Sequence, residues 1–371
     1  MQRTIMLVGT NMMNIYHHRI ELINVLIHNG FRVLVAAPEG EEVKSLVKSG
    51  CEFIHLDVDN RGTNIRNDLK LISNIKKICK KEKPDIILTF YNKTNIYAGI
   101  VARYLKIPYI ENITGLGSAL AKGKGLLYRL MSKLYKYAIG RAYIVFFQNE
   151  SNYKFFYDRN LYRGKYKMLP GSGVNIEKYK ALPYPDETPV SFLFISRILR
   201  EKGIGEYLKA AEIIKNKRSD AVFHVAGPCD PSCKDIIEKA RQTGLIEYHG
   251  KVEDIEGLLN GIHCTVLPSY YPEGMANVLL ESAASGRPII TTSLPGCGET
   301  ADDGTTGFIV RERSASDLAE KLERFLDMDY GSKKEMGNAG RRKMEREFNR
   351  EIVISAYLQA INEILELKKS L

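Results

Sequence analysis

Two glutamates eight residues apart, Glu273 and Glu281, follow the end of a predicted strand. The strand is predicted to end at Leu267, and a helix is predicted to begin near Ala276. Glu281 would then lie about one and a half turns into that helix, close enough to its N-terminus to project toward the loop that carries Glu273. Carboxylates on the loop and on the helix can bind opposite ends of a polyhydroxylated ligand. The N–H groups between them can bind phosphate oxygens.

Two cations follow an earlier predicted strand end in the same half of the chain. Arg197 and Lys202 lie between a strand that ends near Ile195 and the helix that follows Gly203. A guanidinium binds oxygens in a bidentate manner and an ammonium acts as a point charge, which is the combination expected around a diphosphate. Taken singly, each of these charged residues has an alternative interpretation as a solvated surface group. Their occurrence in order, at strand ends of one unit, favours a ligand site.

Short apolar runs alternate with helical patterns in both halves of the chain, which predicts parallel sheets with helical crossovers. The predicted strands are Ile5–Val8, Val33–Ala36, Phe53–Leu56, Ile86–Phe90, Tyr109–Ile110 and Ile144–Phe147, then Phe192–Ile195, Val222–Ala226, Ile246–Tyr248, Cys264–Leu267, Ile289–Thr291 and Phe308–Val310. A segment rich in proline and glycine, residues 170–189, separates the two sets. The fold class is therefore α/β, with two doubly wound, Rossmann-like domains facing a central cleft.

The expected domains are residues 1–170 and 171–349, with a final helix over 350–371 that packs back on the first domain. An apolar stripe is expected along that helix at Ile352, Tyr357, Ile361, Ile364 and Leu365.

Charge is distributed unevenly over the 371 residues, whose formal net charge is +10. The chain up to Leu169 has 27 basic and 13 acidic residues, whereas the remainder has 27 basic and 31 acidic. We therefore expect an anionic partner for the first half only. The first apolar run is too short for a signal peptide, and no stretch approaches the roughly 20 apolar residues of a spanning helix, so we expect a cytoplasmic protein, at most peripheral to a membrane.

The six cysteines are scattered, and the pair Cys229 and Cys233 lacks ligand-spaced histidines. Buried free thiols are the favoured interpretation, with a zinc site as the alternative.

The segment from Ala121 to Ala142 contains six basic residues, no acidic residue and three tyrosines. A helix from about Leu126 with this composition is typical of an interface with anionic lipid. The basic residues expected to face the membrane are Lys122, Lys124, Arg129, Lys133 and Lys136. The alternative is a helix that packs on the core and solvates its basic face. Nucleic acid is a disfavoured anion, because no recognised binding module or basic arm is present.

Together these motifs resemble the retaining family 4 glycosyltransferases of GT-B architecture. The residues that carry the resemblance are Glu273-x7-Glu281 followed by Ala284-Ser-Gly-Arg-Pro288, Ser196-Arg197-x4-Lys202-Gly203, Ala226-Gly227-Pro228, Tyr248-His-Gly250, and Gly298-Glu299 with Gly307–Val310. The resemblance implies a UDP-sugar bound by the second domain, with Glu281 at the ribose hydroxyls, Glu273 facing the donor sugar, and a diphosphate clamp of Arg197 and Lys202. The remaining donor contacts that it implies are Gly227, Lys251, Val252, Gly274, Met275, Ala276 and Asn277.

The first domain resembles the subgroup that adds N-acetylgalactosamine or related sugars to polyprenyl-diphosphate-linked intermediates in bacterial glycan assembly. The acceptor contacts that this implies are Asn14, His17, His18, Arg19, Thr114, Gly115 and Gly117. The alternative for both histidines is a packed or solvated position on a helix face. Many family members place a histidine or an aspartate where this sequence has Thr114, so no catalytic base is named. A retaining reaction can pass the acceptor proton to the leaving phosphate oxygen instead.

The function expected from this resemblance is retaining transfer of a sugar, with N-acetylgalactosamine preferred, from a UDP-sugar to a polyprenyl-diphosphate-linked glycan at the inner face of the cell membrane. The product would belong to a bacterial surface polysaccharide or a glycoprotein glycan. No cofactor is expected. No metal is expected either, because fixed cations can stabilise the leaving diphosphate. The alternatives are a sugar-nucleotide epimerase or hydrolase of the same architecture, and a catalytically silent scaffold at the membrane.

Overall fold

The computed structural model describes residues 2–59, 64–117, 120, 123–186, 188–271 and 273–369. The chain forms two compact units, Met1–Ser172 with Glu351–Leu371 and Gly173–Arg350. These divisions lie two residues beyond the expected boundary at 170 and one residue beyond that at 349. The last helix therefore returns to the unit that the N-terminal half of the chain has built.

The first unit contains a parallel sheet with the strand order β3-β2-β1-β4-β5-β6-β7 over its described residues. Its strands are β1 Thr4–Val8, β2 Arg32–Ala37, β3 Glu52–His55, β4 Ile86–Thr89, β5 Tyr109–Ile113, β6 Ile144–Phe147 and β7 Tyr166–Met168. The three-residue edge strand β7 was not predicted, because its residues are mostly exposed and polar and carry no apolar run.

Helices cover both faces of this sheet, and each face has its own apolar core. They are α1 Met12–His28, α2 Val43–Lys48, α3 Ile65–Glu82, α4 Asn92–Leu105, α5 Leu126–Ile139, α6 Glu150–Asp158 and the final helix, which we label α13, Arg350–Lys369. Asparagine side chains cap three of them: Asn11 accepts from the Asn14 N–H, Asn64 from the Arg66 N–H, and Asn149 from the Asn152 N–H. The caps explain why these helices begin directly after strand ends or short loops.

The final helix packs on the first sheet through its buried face. Tyr357 is fully buried against Phe90 and Phe146, and its hydroxyl accepts a hydrogen bond from the Asn112 side-chain amide (2.8 Å). The expected apolar stripe is buried at Tyr357, Ile361 and Ile364. The prediction for Ile352 was wrong, because Ile352 is exposed and the neighbouring Val353 and Ile354 are buried instead.

The second unit contains a parallel sheet with the strand order β10-β9-β8-β11-β12-β13 over its described residues. Its strands are β8 Val190–Ile195, β9 Ala221–Ala226, β10 Glu247–Tyr248, β11 Cys264–Leu267, β12 Ile289–Thr292 and β13 Gly307–Val310. Its helices are α7 Ile204–Lys215, α8 Lys234–Gln242, α9 Ile255–Asn260, α10 Asn277–Ala284, α11 Ala315–Asp327 and α12 Tyr330–Lys343.

Each sheet has a switch point where the strand order reverses direction. In the first unit β1 pairs with both β2 and β4, and in the second unit β8 pairs with both β9 and β11. The loops that follow the two central strands therefore leave the sheet on opposite sides and open a crevice at the carboxyl edge, where α/β sheets bind ligands. The loops after β8 and β11 carry Arg197, Lys202 and Glu273.

In the described part of the chain, no helix is both long enough and apolar enough to cross a membrane.

Candidate active site

The loops after β8 and β11 touch through their backbones at a glycine. Gly203 has a φ of +84°, and a Cβ at this position would lie 2.2 Å from the Pro268 carbonyl oxygen. Only glycine combines this left-handed conformation with so close an approach. A backbone hydrogen bond from Tyr270 to the Glu201 carbonyl (2.8 Å) also joins the loops. Chain segments about 70 residues apart are therefore held together at the switch point.

Lys202 and Glu273 form an ion pair within this junction, with 13% and 15% of their side chains exposed. The ammonium also lies 5.2 Å from the centroid of the Tyr271 ring. The pKa of Lys202 is lowered to about 8 by burial, against an opposing effect of Cys297 and with a smaller contribution from Arg197. Arg197 itself is exposed. Three of the four charged residues singled out in the sequence thus lie close to one another.

The loop after β9 approaches the same place. Gly227 has a φ of +127°, and a Cβ there would lie 1.8 Å from the Ser196 carbonyl oxygen. Its N–H donates to the Gly250 carbonyl (2.6 Å) at the end of β10. Lys251 is exposed and pairs with Glu253 (3.3 Å), and Val252 packs at the edge of a small apolar cluster. Gly227 is therefore required by the close packing of strand ends, whereas Lys251 is a surface residue on the adjoining loop.

The segment before α10 has one N–H that is already bonded. The N–H of Ala276 donates to the Gly296 carbonyl (2.7 Å), while Met275 and Ala276 are both buried. The side-chain oxygen of Asn277 is buried with no hydrogen-bond partner in the part of the chain that the structure describes. A buried acceptor of this kind suits a ligand hydroxyl, because leaving it without a donor is costly.

The loop after β12 supports this segment and was not singled out as a whole by the sequence. Gly296 has a φ of +86°, and a Cβ there would lie 2.8 Å from the Cβ of Glu273 and 2.9 Å from the Gly274 carbonyl oxygen. Its N–H donates to the Glu299 carboxylate (2.7 Å). The run Pro295-Gly-Cys-Gly298, which begins three residues after the end of β12, is the signal that could have identified it.

Glu281 lies in the second turn of α10 with different neighbours. Burial raises its pKa to about 7, and the Tyr179 hydroxyl, Arg350 and Lys178 partly offset that rise. Glu281 stands four residues after Asn277, about 6 Å further along the helix axis. No pattern in the sequence indicates Tyr179 as its partner, because that residue precedes it by about 100 positions.

The residues expected to contact an acceptor lie at the switch point of the first unit. His17 is exposed and His18 half-buried on α1, and Asn14 follows the cap of that helix. Arg19 is only 2% exposed; its guanidinium lies 4.7 Å from the centroid of the Phe90 ring. It donates one hydrogen bond to the His18 carbonyl (2.9 Å). Arg19 therefore belongs to the buried face of α1, and the two histidines lie nearer the surface.

The Thr114–Gly117 segment follows β5 and is fixed to the end of β4. The Thr114 hydroxyl donates to the Phe90 carbonyl (3.0 Å). With its amide oriented to satisfy both neighbours, Asn92 donates to the Gly115 carbonyl (3.1 Å) and accepts from the Gly117 N–H (3.2 Å). Both glycines have positive φ. The segment is therefore shaped by α4, which no local pattern in the sequence shows.

Helix α5 presents apolar and basic side chains to solvent. Leu126 is 84% exposed, and Leu127, Leu130 and Tyr137 are also exposed. The basic residues Lys124, Arg129, Lys133 and Lys136 are exposed beside them, and Lys122 lies outside the described residues. The apolar side chains of this helix are divided between two environments: Met131 and Leu134 pack on the core, whereas Leu127 and Leu130 are exposed.

The cysteines are free, and five of the six are buried, as expected; Cys229 is half-buried.

Two family models match the chain. The model of group 1 glycosyl transferases matches residues 175–343, and the glycosyl transferase 4-like model matches residues 5–149. The two matches, one in each half, identify the chain as a glycosyltransferase. The first match contains all of the charged residues around the β8–β11 switch point of this glycosyltransferase.

Curated relatives extend over nearly the whole glycosyltransferase. It is 28% identical to the N,N'-diacetylbacillosaminyl-diphospho-undecaprenol alpha-1,3-N-acetylgalactosaminyltransferase of Campylobacter jejuni, over 95% of this chain and 96% of the relative. It is 26% identical to the capsular polysaccharide biosynthesis glycosyltransferase CapM of Staphylococcus aureus, over 86% and 87% of the two chains.

Solved structures share its fold. The Anabaena HepE structure in complex with UDP and glucose matches with a TM-score of 0.77 and 15% identity, over 100% of both chains. The sucrose-phosphate synthase of Thermosynechococcus elongatus matches with a TM-score of 0.79 and 20% identity, over 99% and 100%. The expected GT-B fold of two Rossmann-like units is confirmed.

Proposed function

We propose that this glycosyltransferase moves N-acetylgalactosamine from its UDP-sugar to a polyprenyl-diphosphate-linked glycan, with retention at the anomeric carbon and without a metal ion in the reaction. The observation that carries the proposal is the junction of Lys202, Glu273 and Arg197 at the switch point of the second sheet. The name of the Campylobacter relative, which matches over nearly the full length of both chains, supports the choice of sugar and acceptor.

In this proposal Arg197 and Lys202 bind the diphosphate of the donor. Negative charge grows on the bridging oxygen as UDP leaves, and fixed cations stabilise that charge more than they stabilise the ground state. A diphosphate beside Lys202 favours its protonated form, which offsets the lowering of its pKa to about 8. Glu273 keeps the ammonium in place and faces the donor sugar, and the buried oxygen of Asn277 accepts a sugar hydroxyl.

Glu281 binds the ribose hydroxyls in the same proposal. A carboxylate can accept hydrogen bonds from both hydroxyls of the diol. No protein base is assigned, so the leaving phosphate oxygen takes the acceptor proton on the face that it leaves. The first unit binds the acceptor through α1, which follows β1, and through the loop after β5, with His17 and His18 as the polar groups of α1 nearest the surface.

A panel of nucleotide sugars tests the reaction by measuring nucleotide release with and without a short-chain polyprenyl-diphosphate sugar, and by product mass. We expect release from UDP-N-acetylgalactosamine that depends on the acceptor. Lys202→Ala and Glu273→Gln should each lower kcat by about 10²–10³-fold. Lys217→Ala is the control, because Lys217 forms an exposed ion pair with Glu323 (3.0 Å) away from the loops.

Near-normal turnover by the Lys202 or Glu273 variant would refute the assigned site. An epimerised nucleotide sugar would indicate an epimerase instead of a transferase. Free sugar released without an acceptor would indicate a hydrolase.

A second part of the proposal is that α5 docks the enzyme on an anionic membrane. Exposed leucines beside exposed lysine and arginine are the composition of an interfacial helix, which buries its apolar face while its cations meet lipid phosphates. The net charge of the first half of the chain favours the same partner.

Vesicle sedimentation tests this docking. The wild-type protein should bind vesicles with anionic lipid better than zwitterionic ones, and less well at high salt. Leu127→Asn combined with Leu130→Asn should reduce binding, whereas Ile236→Asn, an exposed apolar residue on α8, should not. Equal binding by the double variant would show that another surface docks.

A further inference from the structure

Three potential metal ligands meet at the outer edge of the second sheet. Glu247 on the two-residue edge strand β10 pairs in parallel register with His224 on β9, and paired residues of neighbouring strands face the same side. His249 follows two positions after Glu247, and its N–H continues the ladder by donating to the Val225 carbonyl (2.9 Å). Alternation therefore places all three side chains on one face. One ligand atom of each lies within 4.8 Å of the others.

Two of the three distances between these atoms match the coordination shell of one ion. His224 Nδ1 lies 3.1 Å from His249 Nε2 and 3.3 Å from a Glu247 carboxylate oxygen. Donors bound to Zn²⁺ at about 2.0–2.1 Å in a tetrahedral shell are about 3.3 Å apart. The imidazole rings stack with their centroids 5.2 Å apart.

Hydrogen bonding alone satisfies this cluster poorly. A proton on His224 Nδ1 would have to be shared between the His249 nitrogen and the Glu247 oxygen, whereas a cation satisfies three lone pairs at once.

We propose that His224, Glu247 and His249 bind a divalent transition-metal ion, with Zn²⁺ as the best-suited probe and water completing the shell. Two imidazoles and one carboxylate with an open position suit Zn²⁺, whereas Mg²⁺ and Ca²⁺ prefer oxygen ligands only.

Such an ion would tie the short strand β10 to β9 and fix the turn at Gly250, which is bonded to Gly227. Its role is structural and separate from sugar transfer. The proposal does not rest on the proposed function.

The test is metal binding by full-length protein stripped with a chelator. Zn²⁺ is titrated against a chromophoric chelator, and Co²⁺ reports geometry, because tetrahedral sites give much stronger visible bands than octahedral ones. We expect one equivalent per chain. His249→Ala, an exposed residue whose loss spares the core, and Glu247→Gln should each weaken Zn²⁺ binding by at least about tenfold. Zn²⁺ should raise the melting temperature of the wild type and leave that of His249→Ala unchanged.

Two controls remove other sources of binding. His55→Ala alters a histidine whose two ring nitrogens face different carboxylates, Asp57 at 2.9 Å and Glu39 at 3.7 Å, so that it cannot assemble this shell. Cys229→Ser removes the less buried thiol of the pair near α8. Both variants should bind as the wild type does. Three results would overturn the site. The first is the absence of stoichiometric Zn²⁺ binding by the wild type. The second is Zn²⁺ binding by the His249→Ala and Glu247→Gln variants that is as tight as that of the wild type. The third is a loss of affinity in His55→Ala that is as large as theirs. Lys202→Ala, which should lose sugar transfer, should still bind Zn²⁺. The metal site and the transfer site are therefore tested independently.

Discussion

A carboxylic acid in the core of the first unit makes the stability of this enzyme depend on pH in an unusual direction. Glu111 on β5 is fully buried, and within the described residues neither of its side-chain oxygens has a hydrogen-bond partner. The site has no room for a compensating group, because a Cβ on Gly99 of α4 would lie 2.6 Å from one of those oxygens. Burial therefore raises the pKa of Glu111 well above its ordinary value of 4.5.

The sign of the effect follows from proton linkage. Because the pKa of Glu111 is higher in the folded state, the folded chain holds a proton that the unfolded chain releases above about pH 4.5. The contribution of Glu111 to stability is present below that pH and is lost as the pH rises toward the folded pKa. The loss is about 1.4 kcal/mol for each pH unit in this interval.

Glu111→Gln keeps the shape of the side chain and removes the ionisation. The difference in free energy of unfolding between this variant and the wild type should shift in favour of the variant by about 1.4 kcal/mol per pH unit above pH 4.5. Denaturant titrations at several pH values measure this difference, and other titrating groups cancel in it. Glu41→Gln makes the same substitution at an exposed glutamate and is the matched control. A difference for Glu111→Gln that is constant, or that favours the wild type as the pH rises, would refute the reasoning.

Two further predictions concern helix packing and donor binding. Gly99→Ala should destabilise the protein by about 1–3 kcal/mol through overpacking against Glu111, although alanine ordinarily stabilises a helix. Gly205→Ala on α7, where a Cβ meets open space, should instead stabilise the protein by about 0.5–1 kcal/mol. Thermal or denaturant unfolding measures both variants, and an increase in stability for Gly99→Ala would contradict the overpacking. If Glu281 binds ribose as a carboxylate, UDP affinity should fall below pH 7, by up to about tenfold per unit, because its pKa is about 7 and binding must then displace the proton. Calorimetry should find this fall absent in Glu281→Gln, and a fall of the same size in that variant would exclude Glu281 as its source.

Much of the fold was accessible from the sequence, because apolar runs and helical periodicity are local properties. The strands were predicted within a few residues, except for β7, whose side chains form no apolar run. The sequence predicted only that Lys202 and Glu273 contribute to the same ligand site. Their direct ion pair depends on β8 and β11 being neighbours across the switch point.

The sequence by itself determined the elements, the separation of basic from balanced halves and the motifs that resemble a glycosyltransferase, since each of these is a pattern of residue type along the chain. The tertiary structure alone decided which distant residues meet. It buried Arg19 and Glu111, exposed Leu126, brought Gly296 against Glu273, and gathered His224 with His249 at a sheet edge. The physical reason is that burial, close backbone approach and side-chain convergence depend on strand order and register, which link segments tens of residues apart and leave no local signature in the chain.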